Sequence, residues 1–114
     1  MNMRNVVEDI NSGPSEAQVA HVADLFRLMG DPTRLKIILT CLKQPISVGE
    51  VAAELNVSPS LVSHHLRLLR AARVLRAERR GKQIYYSALD QHIQCIIDDM
   101  MAHVIEPTSL EEAD

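Results

Sequence analysis

Residues 47–70 read SVGEVAAELNVSPSLVSHHLRLLR, and this stretch decides the fold. Ser47 and Glu50 form a capping-box pattern that begins a short helix, and Asn56 is a residue that tolerates the left-handed conformation at a helix end. Ser58-Pro59 then supplies an N-cap followed by proline at the first helical position. A short helix, a tight turn and a second capped helix together predict a helix-turn-helix.

Two further helices precede this motif. Ser15–Gln18 is another capping box, and it predicts a helix over residues 16–29. Asp31-Pro32 caps a second helix that ends near Leu42, because Pro45 cannot continue it. The apolar positions of the first helix recur at helical spacing, and they are Val19, Val22, Ala23, Phe26 and Met29.

Two strands and a last helix follow the motif. Alternating apolar residues predict strands over residues 74–78 and 83–87, joined by a hairpin tip at Arg79–Lys82. Asp90 caps a final helix that extends to about Glu106. The predicted fold is mainly α with a β-hairpin wing (α+β), a winged helix-turn-helix with the element order ααααββα.

A single domain accounts for this chain of 114 residues. We expect a flexible arm over residues 1–14, a DNA-binding and dimerisation domain over residues 15–106 and an acidic tail over residues 107–114. Apolar residues make up 46% of the chain, no apolar run reaches the roughly 18 residues of a membrane helix, and the N-terminus lacks a secretion signal. We therefore expect a cytoplasmic protein with no membrane partner.

Charge is distributed unevenly along the chain. The formal net charge of −3 would disfavour a nucleic-acid partner if it were uniform. Residues 90–114, however, hold seven acidic residues and no Lys or Arg, whereas residues 67–82 hold one acid, Glu78. Residues 67–82 therefore suit phosphate, and residues 90–114 suit cations or solvent. The basic residues of residues 67–82 are Arg67, Arg70, Arg73, Arg76, Arg79, Arg80 and Lys82.

One face of the second motif helix is suited to DNA. Its short hydroxyl side chains come first and its basic side chain last, as in a recognition helix whose first turns contact base edges in the major groove. The alternative is an ordinary solvated face. His65 lies between this face and the apolar one, and we expect it to be packed. The expected DNA contacts are Ser58, Ser60, Ser63, His64 and Arg67 on this helix, with Arg79, Arg80 and Lys82 at the hairpin tip.

Four candidate metal ligands stand at the two ends of the last helix. They are Asp90 and His92 at its start and His103 and Glu106 at its end. His92 and His103 are 11 residues apart, so they share a face to within about 20° but are separated by about 16 Å along the axis. A Zn–N bond is only about 2 Å long, so one chain cannot bring both pairs to one ion.

An antiparallel pair of these helices solves that problem. It creates two symmetric sites, each with Asp90 and His92 of one subunit and His103 and Glu106 of the partner subunit. Two imidazoles and two carboxylates suit Zn²⁺, with Co²⁺ or Ni²⁺ as alternative effectors. The excess of apolar residues on the last helix also predicts a homodimer through the first and last helices. These residues are Ile93, Ile96, Ile97, Met100, Met101, Val104 and Ile105.

Three segments give the chain a resemblance to the ArsR/SmtB family of metalloregulatory repressors. They are GDPTRL at residues 30–35, SPSLVSHHLRLL at residues 58–69 and RGKQIYY at residues 80–86, within a similarity that spans roughly residues 16–106. The chain looks most like the zinc-sensing branch, whose last helix carries D-x-H…H-x-x-(H/E). Asp90, His92, His103 and Glu106 fill this pattern at the family's spacing.

The resemblance implies a function and a mechanism. It implies a metal-responsive repressor whose apo dimer binds operator DNA, and whose DNA affinity falls when Zn(II) binds, which derepresses metal efflux or sequestration genes. It also implies an allosteric link from a ring nitrogen of His103 to the backbone carbonyl of Arg73, where the family usually has Gly. Ser47-Val48-Gly49 stands where arsenic, cadmium and lead sensors commonly carry Cys-x-Cys, so the resemblance does not imply a thiolate site there.

Three alternatives stay open at this point. A redox- or ligand-sensing repressor would use Cys41, Cys95 or a pocket, although a buried hydrophobic role is the simpler interpretation of each cysteine. A metal-buffering or protein-interaction module would not bind DNA. An enzyme is the weakest alternative, since we find no nucleophile–base pair or phosphate loop, and we expect no small-molecule substrate. His21 is an ordinary surface histidine in the simplest interpretation, and a second metal site is the alternative.

Overall fold

The computed structural model describes residues 13–107, so most of the predicted arm and tail lies outside the described residues. Residues 13–107 form five helices and one three-stranded antiparallel sheet. The elements are α1 (Glu16–Met29), α2 (Pro32–Lys43), β1 (Ile46–Ser47), α3 (Val48–Leu55), α4 (Pro59–Ala71), β2 (Leu75–Arg80), β3 (Gln83–Ala88) and α5 (Gln91–Ile105). No helix within residues 13–107 is long and apolar enough to cross a membrane.

Each helix begins where the sequence predicts it, because a side chain at the N-cap accepts a hydrogen bond from an amide of the first turn. Ser15 and Ser47 form complete capping boxes. Asp31, Ser58 and Asp90 each accept from the third amide of the following helix. The predicted winged helix-turn-helix order is confirmed, with one short strand added.

The added strand is β1, which pairs with β3 and gives the sheet the order β1-β3-β2. Two residues are too few to give the alternation by which a strand is recognised in a sequence. Ile46 lies opposite Tyr86, and both side chains are buried. This pairing joins the start of the helix-turn-helix to the wing.

The predicted hairpin tip at Arg79–Lys82 is wrong. β2 continues to Arg80, which pairs with Gln83, so the turn contains only Gly81 and Lys82. Gly81 has φ +64° and Lys82 does not have a positive φ, the pattern of a type II′ turn, whose twist matches that of the strands. Arg79 and Arg80 are therefore strand residues on opposite faces of the wing.

The core lies between α2, α3, α4 and the sheet, whereas α1 and α5 contribute one buried side chain each, Met29 and Ile97. The largest fully buried side chains are Ile37, Ile38, Leu66, Leu69, Leu75, Val51, Val62, Val74 and Cys41. The rest of the predicted apolar face of α1 is left exposed by the other described residues. The large apolar side chains that α1 and α5 leave about half exposed or more are Val19, Val22, Phe26, Met100, Val104 and Ile105.

Candidate functional site

The expected reading face of α4 points away from the core. Ser60, His64 and Arg67 are exposed, and Ser63 is half-buried. Ser58 is exposed at the N-cap, where its hydroxyl accepts from the amide of Leu61 at 3.2 Å. The N-terminal turns of α4 thus present short polar side chains to solvent. His65 is 9% exposed, which confirms that it is packed.

A cleft separates α4 from the wing, and cationic side chains line it from both sides. Arg67 and Arg70 approach from α4, and Lys82 approaches from the turn of the wing. Ser63, the segment that leads from β1 into α3 and three residues of β3 complete its lining. Arg70 was not among the expected DNA contacts, because its place beside Lys82 follows from the docking of the wing on α4. Such a cluster suits a phosphate of the DNA backbone.

The two arginines at the end of β2 have different surroundings. The Arg80 guanidinium lies 5.1 Å from the centroid of the Tyr85 ring, and its Nη2 lies 3.4 Å from Glu78 Oε2. These contacts hold Arg80 on the outer face of the wing. Arg79 lies opposite Ile84 on the other face, and its Nη1 donates to the Gly81 carbonyl at 3.4 Å.

One end of α5 brings two of the candidate metal ligands together. Asp90 Oδ1 accepts from the amide of Ile93 at 3.0 Å, while Oδ2 lies 3.5 Å from His92 Nδ1. The bond from the Ile93 amide is the main reason that the pKa of Asp90 lies below its usual range, so the carboxylate is ionised at neutral pH. Two ligands on one tetrahedral zinc with bonds near 2.0 Å lie about 3.3 Å apart. The donor pair therefore fits one ion.

The other two candidate ligands stand at the far end of the same helix. His103 occupies the last turn of α5 and Glu106 is its C-cap, and both are exposed. Within residues 13–107 of one chain, no three His, Cys, Asp or Glu side chains converge on a common point. A four-ligand shell from these residues requires a second chain.

The two cysteines differ in reactivity. Cys41 is only 1% exposed in α2, and burial raises the pKa of its thiol to about 12. Because the thiolate is the reactive and metal-binding form, this side chain acts as a core residue. Cys95 is exposed on α5. The redox-sensing alternative is thereby left with Cys95.

The C-terminal end of α4 is closed by a Schellman motif with Arg73 in the left-handed conformation, at φ +64°. The amide of Arg73 donates to the Arg70 carbonyl at 3.0 Å, and the amide of Val74 donates to the Leu69 carbonyl at 2.9 Å. Left-handed backbone explains why glycine suits this position. The Val74 carbonyl in turn accepts from the amide of Leu89 at 3.1 Å, next to Asp90. This bond joins the end of α4 to the start of α5.

An apolar groove runs between α1, α2 and α5. Its walls carry almost no polar surface, and they include Phe26 and Met29 of α1, Leu35 of α2, and Ile96 and Met100 of α5. Val104 and Ile105 extend the same helix at 72% and 73% exposure. An apolar surface of this kind is typical of a protein–protein interface.

Comparison with known proteins places this fold and these motifs in a family. Residues 31–77 match the family described as "Bacterial regulatory protein, arsR family". The chain is 35% identical to the transcriptional repressor SmtB homolog of Synechocystis sp. over 89 residues, which cover 78% of this chain and 67% of that protein. It is 33% identical over 90 residues to the cadmium resistance transcriptional regulatory protein CadC homolog of Staphylococcus aureus, covering 78% and 74%.

A solved structure agrees with the sequence relatives. The solution structure of apo-NmtR superposes with a TM-score of 0.70 at 29% identity, over 84% of this chain and 85% of that one. NmtR of Mycobacterium tuberculosis is named an HTH-type transcriptional regulator. The similarity covers most of the length of both chains. The chain belongs to the arsR family of bacterial regulatory proteins, and it is a DNA-binding, winged helix-turn-helix transcriptional regulator rather than an enzyme.

Proposed function

We propose that the chain is a homodimeric, metal-responsive repressor that binds operator DNA in its apo form and releases it when Zn(II) binds. Each of two symmetric sites consists of Asp90 and His92 of one subunit and His103 and Glu106 of the partner subunit. The genes released from repression serve metal efflux or sequestration. The observation that carries this proposal is the division of one zinc-type ligand set between the two ends of α5.

The exposed apolar surface of α1 and α5 supports the dimer. Val19 and Phe26 on α1 and Met100 on α5 are each about half exposed, although side chains of this size normally pack. A two-fold axis is the commonest arrangement for a small homo-oligomer, and it buries the same patch of both chains. An antiparallel pairing of α5 about such an axis brings the start of each helix to the end of the other.

The donor chemistry supports a transition metal. Asp90 uses one oxygen for the helix cap and leaves the other beside His92, so a single carboxylate serves both the fold and the site. His92 is 95% exposed, and the ring is free to turn toward an ion. The relatives agree with a metal effector, since one is named for cadmium resistance and another is an SmtB homolog. Nitrogen and oxygen ligands in a set of four favour Zn²⁺.

The backbone offers a path from this site to the DNA-binding helix. Asp90 follows Leu89, whose amide bonds to the Val74 carbonyl just beyond α4. The resemblance adds a second connection, from His103 to the carbonyl of Arg73. Both connections end on the Schellman motif of α4. In the apo dimer, the two α4 helices are oriented to fit successive major grooves. Zinc at the two ends of α5 selects a different orientation of α4, in which they no longer fit.

Fluorescence anisotropy of a labelled operator tests this function. The operator is first selected by the apo protein from a pool of randomised duplexes. We expect the metal-free dimer to bind it tightly and with strong salt dependence, and stoichiometric Zn²⁺ to weaken binding by about 5- to 150-fold. Co²⁺ and Ni²⁺ are then compared in the same assay. DNA binding that ignores all three metals but responds to thiol oxidation would support redox sensing through Cys95 instead.

A further inference from the structure

One half-buried guanidinium joins three helices of this molecule. Arg34 lies in the first turn of α2, where its own amide donates to Asp31 Oδ2 at 3.0 Å. Its Nη1 donates to the Leu28 carbonyl in the last turn of α1 at 3.3 Å, and its Nε donates to His65 Nδ1 in α4 at 3.2 Å. Within residues 13–107 this is the one side-chain hydrogen bond between α4 and another helix. The remaining contacts of α4 with other helices are therefore apolar packing, which is less directional.

His65 accepts this bond only as a neutral ring with its proton on Nε2. The titratable groups that face it are Arg34 and Asp31, both from the start of α2, and His64 from α4 itself. Burial is the main reason that the pKa of His65 lies below its usual value. Arg34 and His64 lower this pKa further, whereas Asp31 raises it. The ring is thus neutral at physiological pH and ready to accept.

We propose that Arg34 and His65 are positioning residues for DNA binding, whose hydrogen bond sets the orientation of α4 relative to α1. The inference rests on the proposed dimeric repressor, in which α1 belongs to the dimer interface. The angle between α1 and α4 then fixes the spacing of the two reading helices in the dimer. Neither side chain contacts DNA in this scheme, since His65 is buried on the inner face of α4.

Three variants test the pair in the metal-free dimer. Arg34→Lys keeps the charge but loses the planar pair of donors, and His65→Leu keeps the packing but loses the acceptor. We expect each to weaken operator binding about tenfold for each subunit, or roughly a hundredfold for the dimer, since every subunit loses one hydrogen bond to a charged group. The double variant is expected to be no weaker than either single variant, because both remove the same contact. His65→Asn places an amide oxygen near the position of Nδ1, so it is expected to restore most of the affinity.

Two matched variants control for general damage. Arg27→Lys removes another guanidinium from the end of α1, one that pairs only with Asp24 on the surface. His21→Asn makes the histidine-to-asparagine change at an exposed position of α1. We expect both to bind operator like the unmodified protein. Circular dichroism and sedimentation of every variant establish that fold and dimer are retained, and an Arg34→Lys dimer of normal fold and normal affinity would overturn the proposal.

The pH profile gives a readout that packing alone would not change. In the conformer with the bond, protonation of His65 removes the acceptor and places a second cation beside Arg34. Operator affinity should therefore be complete above the ordinary histidine pKa of about 6.5 and fall as pH drops below it. The ratio of the affinity of His65→Asn to that of the unmodified protein should accordingly rise from pH 7.5 to 5.5, by up to about tenfold for each subunit, whereas the same ratio for His21→Asn stays constant.

The possible failures are distinguishable from one another. If the unmodified apo protein binds no duplex from the randomised pool, the proposed function fails. If it binds operator and releases it with zinc, yet His65→Asn follows the same pH profile as the unmodified protein, only the positioning role of Arg34 and His65 is wrong.

Discussion

Asp90 has a role in the fold and a second role in the proposed metal site. Its Oδ1 caps α5, and its Oδ2 lies beside His92. Substitution of Asp90 by a residue that cannot cap therefore damages the start of the helix as well as the proposed metal site. His103 has no such second role, because its exposed ring lies in the last turn of α5. It is the better residue for separating metal sensing from folding.

His103→Ala should abolish the zinc response while leaving operator binding by the apo dimer within about twofold of normal. The reason is that His103 lies on α5, away from the reading face of α4. Zinc titration against operator anisotropy measures both quantities, and His21→Ala provides the control at an exposed histidine of α1. Loss of operator binding by apo His103→Ala would show that the roles are assigned incorrectly.

Arg73→Gly should stabilise the protein by about 0.5 kcal/mol, because it relieves left-handed strain of roughly 1 kcal/mol or more. Part of that gain is offset, since glycine raises the conformational entropy of the unfolded chain. Urea unfolding of the apo protein measures this change. Arg70→Gly, in the last turn of α4 rather than beyond it, should instead destabilise by about 0.5–1 kcal/mol. Since the proposed link uses a backbone carbonyl, Arg73→Gly should still release operator with zinc, and a variant that no longer does so would contradict it.

At the scale of the elements, the wing and α4 act as a unit because they share the cleft lined by Arg67, Arg70 and Lys82. The II′ turn places Lys82 at the tip, and the contacts of Arg80 with Tyr85 and Glu78 hold the outer face of the hairpin. A stiff hairpin loses little conformational entropy when it reaches a phosphate. The wing is therefore suited to hold position on DNA rather than to choose a sequence.

Lys82→Ala should weaken binding to all duplexes by a similar factor and reduce the slope of log K against log salt. Each lost phosphate contact lowers that slope by about 0.9, so the dimer should lose nearly 2. The control is Lys43→Ala, since Lys43 pairs with Glu54 on another surface at 3.4 Å. An unchanged salt slope in Lys82→Ala would remove the turn of the wing from the DNA contacts.

Local chemistry decided which parts of this structure the sequence could predict. The helix starts at Ser15, Asp31 and Ser58 follow from caps whose partners are three residues away. β1 could not be predicted, because Ile46 becomes a strand residue only by pairing with Tyr86, far along the chain. The tip of the wing was misplaced for a related reason. Strand length depends on the cross-strand partner, and Arg79 and Arg80 look like turn residues until Gln83 and Ile84 pair with them.

The same distinction applies to the candidate site. Asp90 and His92 are two residues apart at a helix cap, so their proximity was visible in the sequence. Arg34 and His65 are 31 residues apart, and only the packing of α2 against α4 brings them together. Arg70 joins the cleft between α4 and the wing in the same way, through the docking of the wing. Contacts that depend on the tertiary fold leave no local pattern of residues.

At the scale of the whole molecule, a single chain exposes apolar surface on α1 and α5 and holds only half of each proposed metal site. Its core lies around α2, α3, α4 and the sheet, and no other element within residues 13–107 covers the apolar faces of α1 and α5. The proposed dimer covers these faces and completes the metal shell in the same step. Oligomeric state, metal binding and DNA binding are therefore expected to change together.

Val19→Asp on α1 and Met100→Asp on α5 should each shift the protein toward monomer, since a carboxylate buried in an apolar interface without a partner costs several kcal/mol. We expect the dimer dissociation constant to rise by roughly a hundredfold or more. Sedimentation equilibrium measures it, and Ala53→Asp on the exposed side of α3 is the control. A dimer that tolerates both changes would place the interface elsewhere.

Complementation between two inactive variants tests the shared metal site most directly. The first variant is Asp90→Ser/His92→Ala, in which serine keeps a cap for α5 while the carboxylate is lost, and the second is His103→Ala/Glu106→Ala. Neither homodimer holds an intact site, but the mixed dimer regenerates one, because each chain supplies the pair that the other lacks. We predict no tight zinc in either variant alone and one tight zinc per mixed dimer after the two are unfolded and refolded together, measured by native mass spectrometry. If mixing restores no zinc binding, or if either variant alone binds zinc like the unmodified protein, the shared site is contradicted.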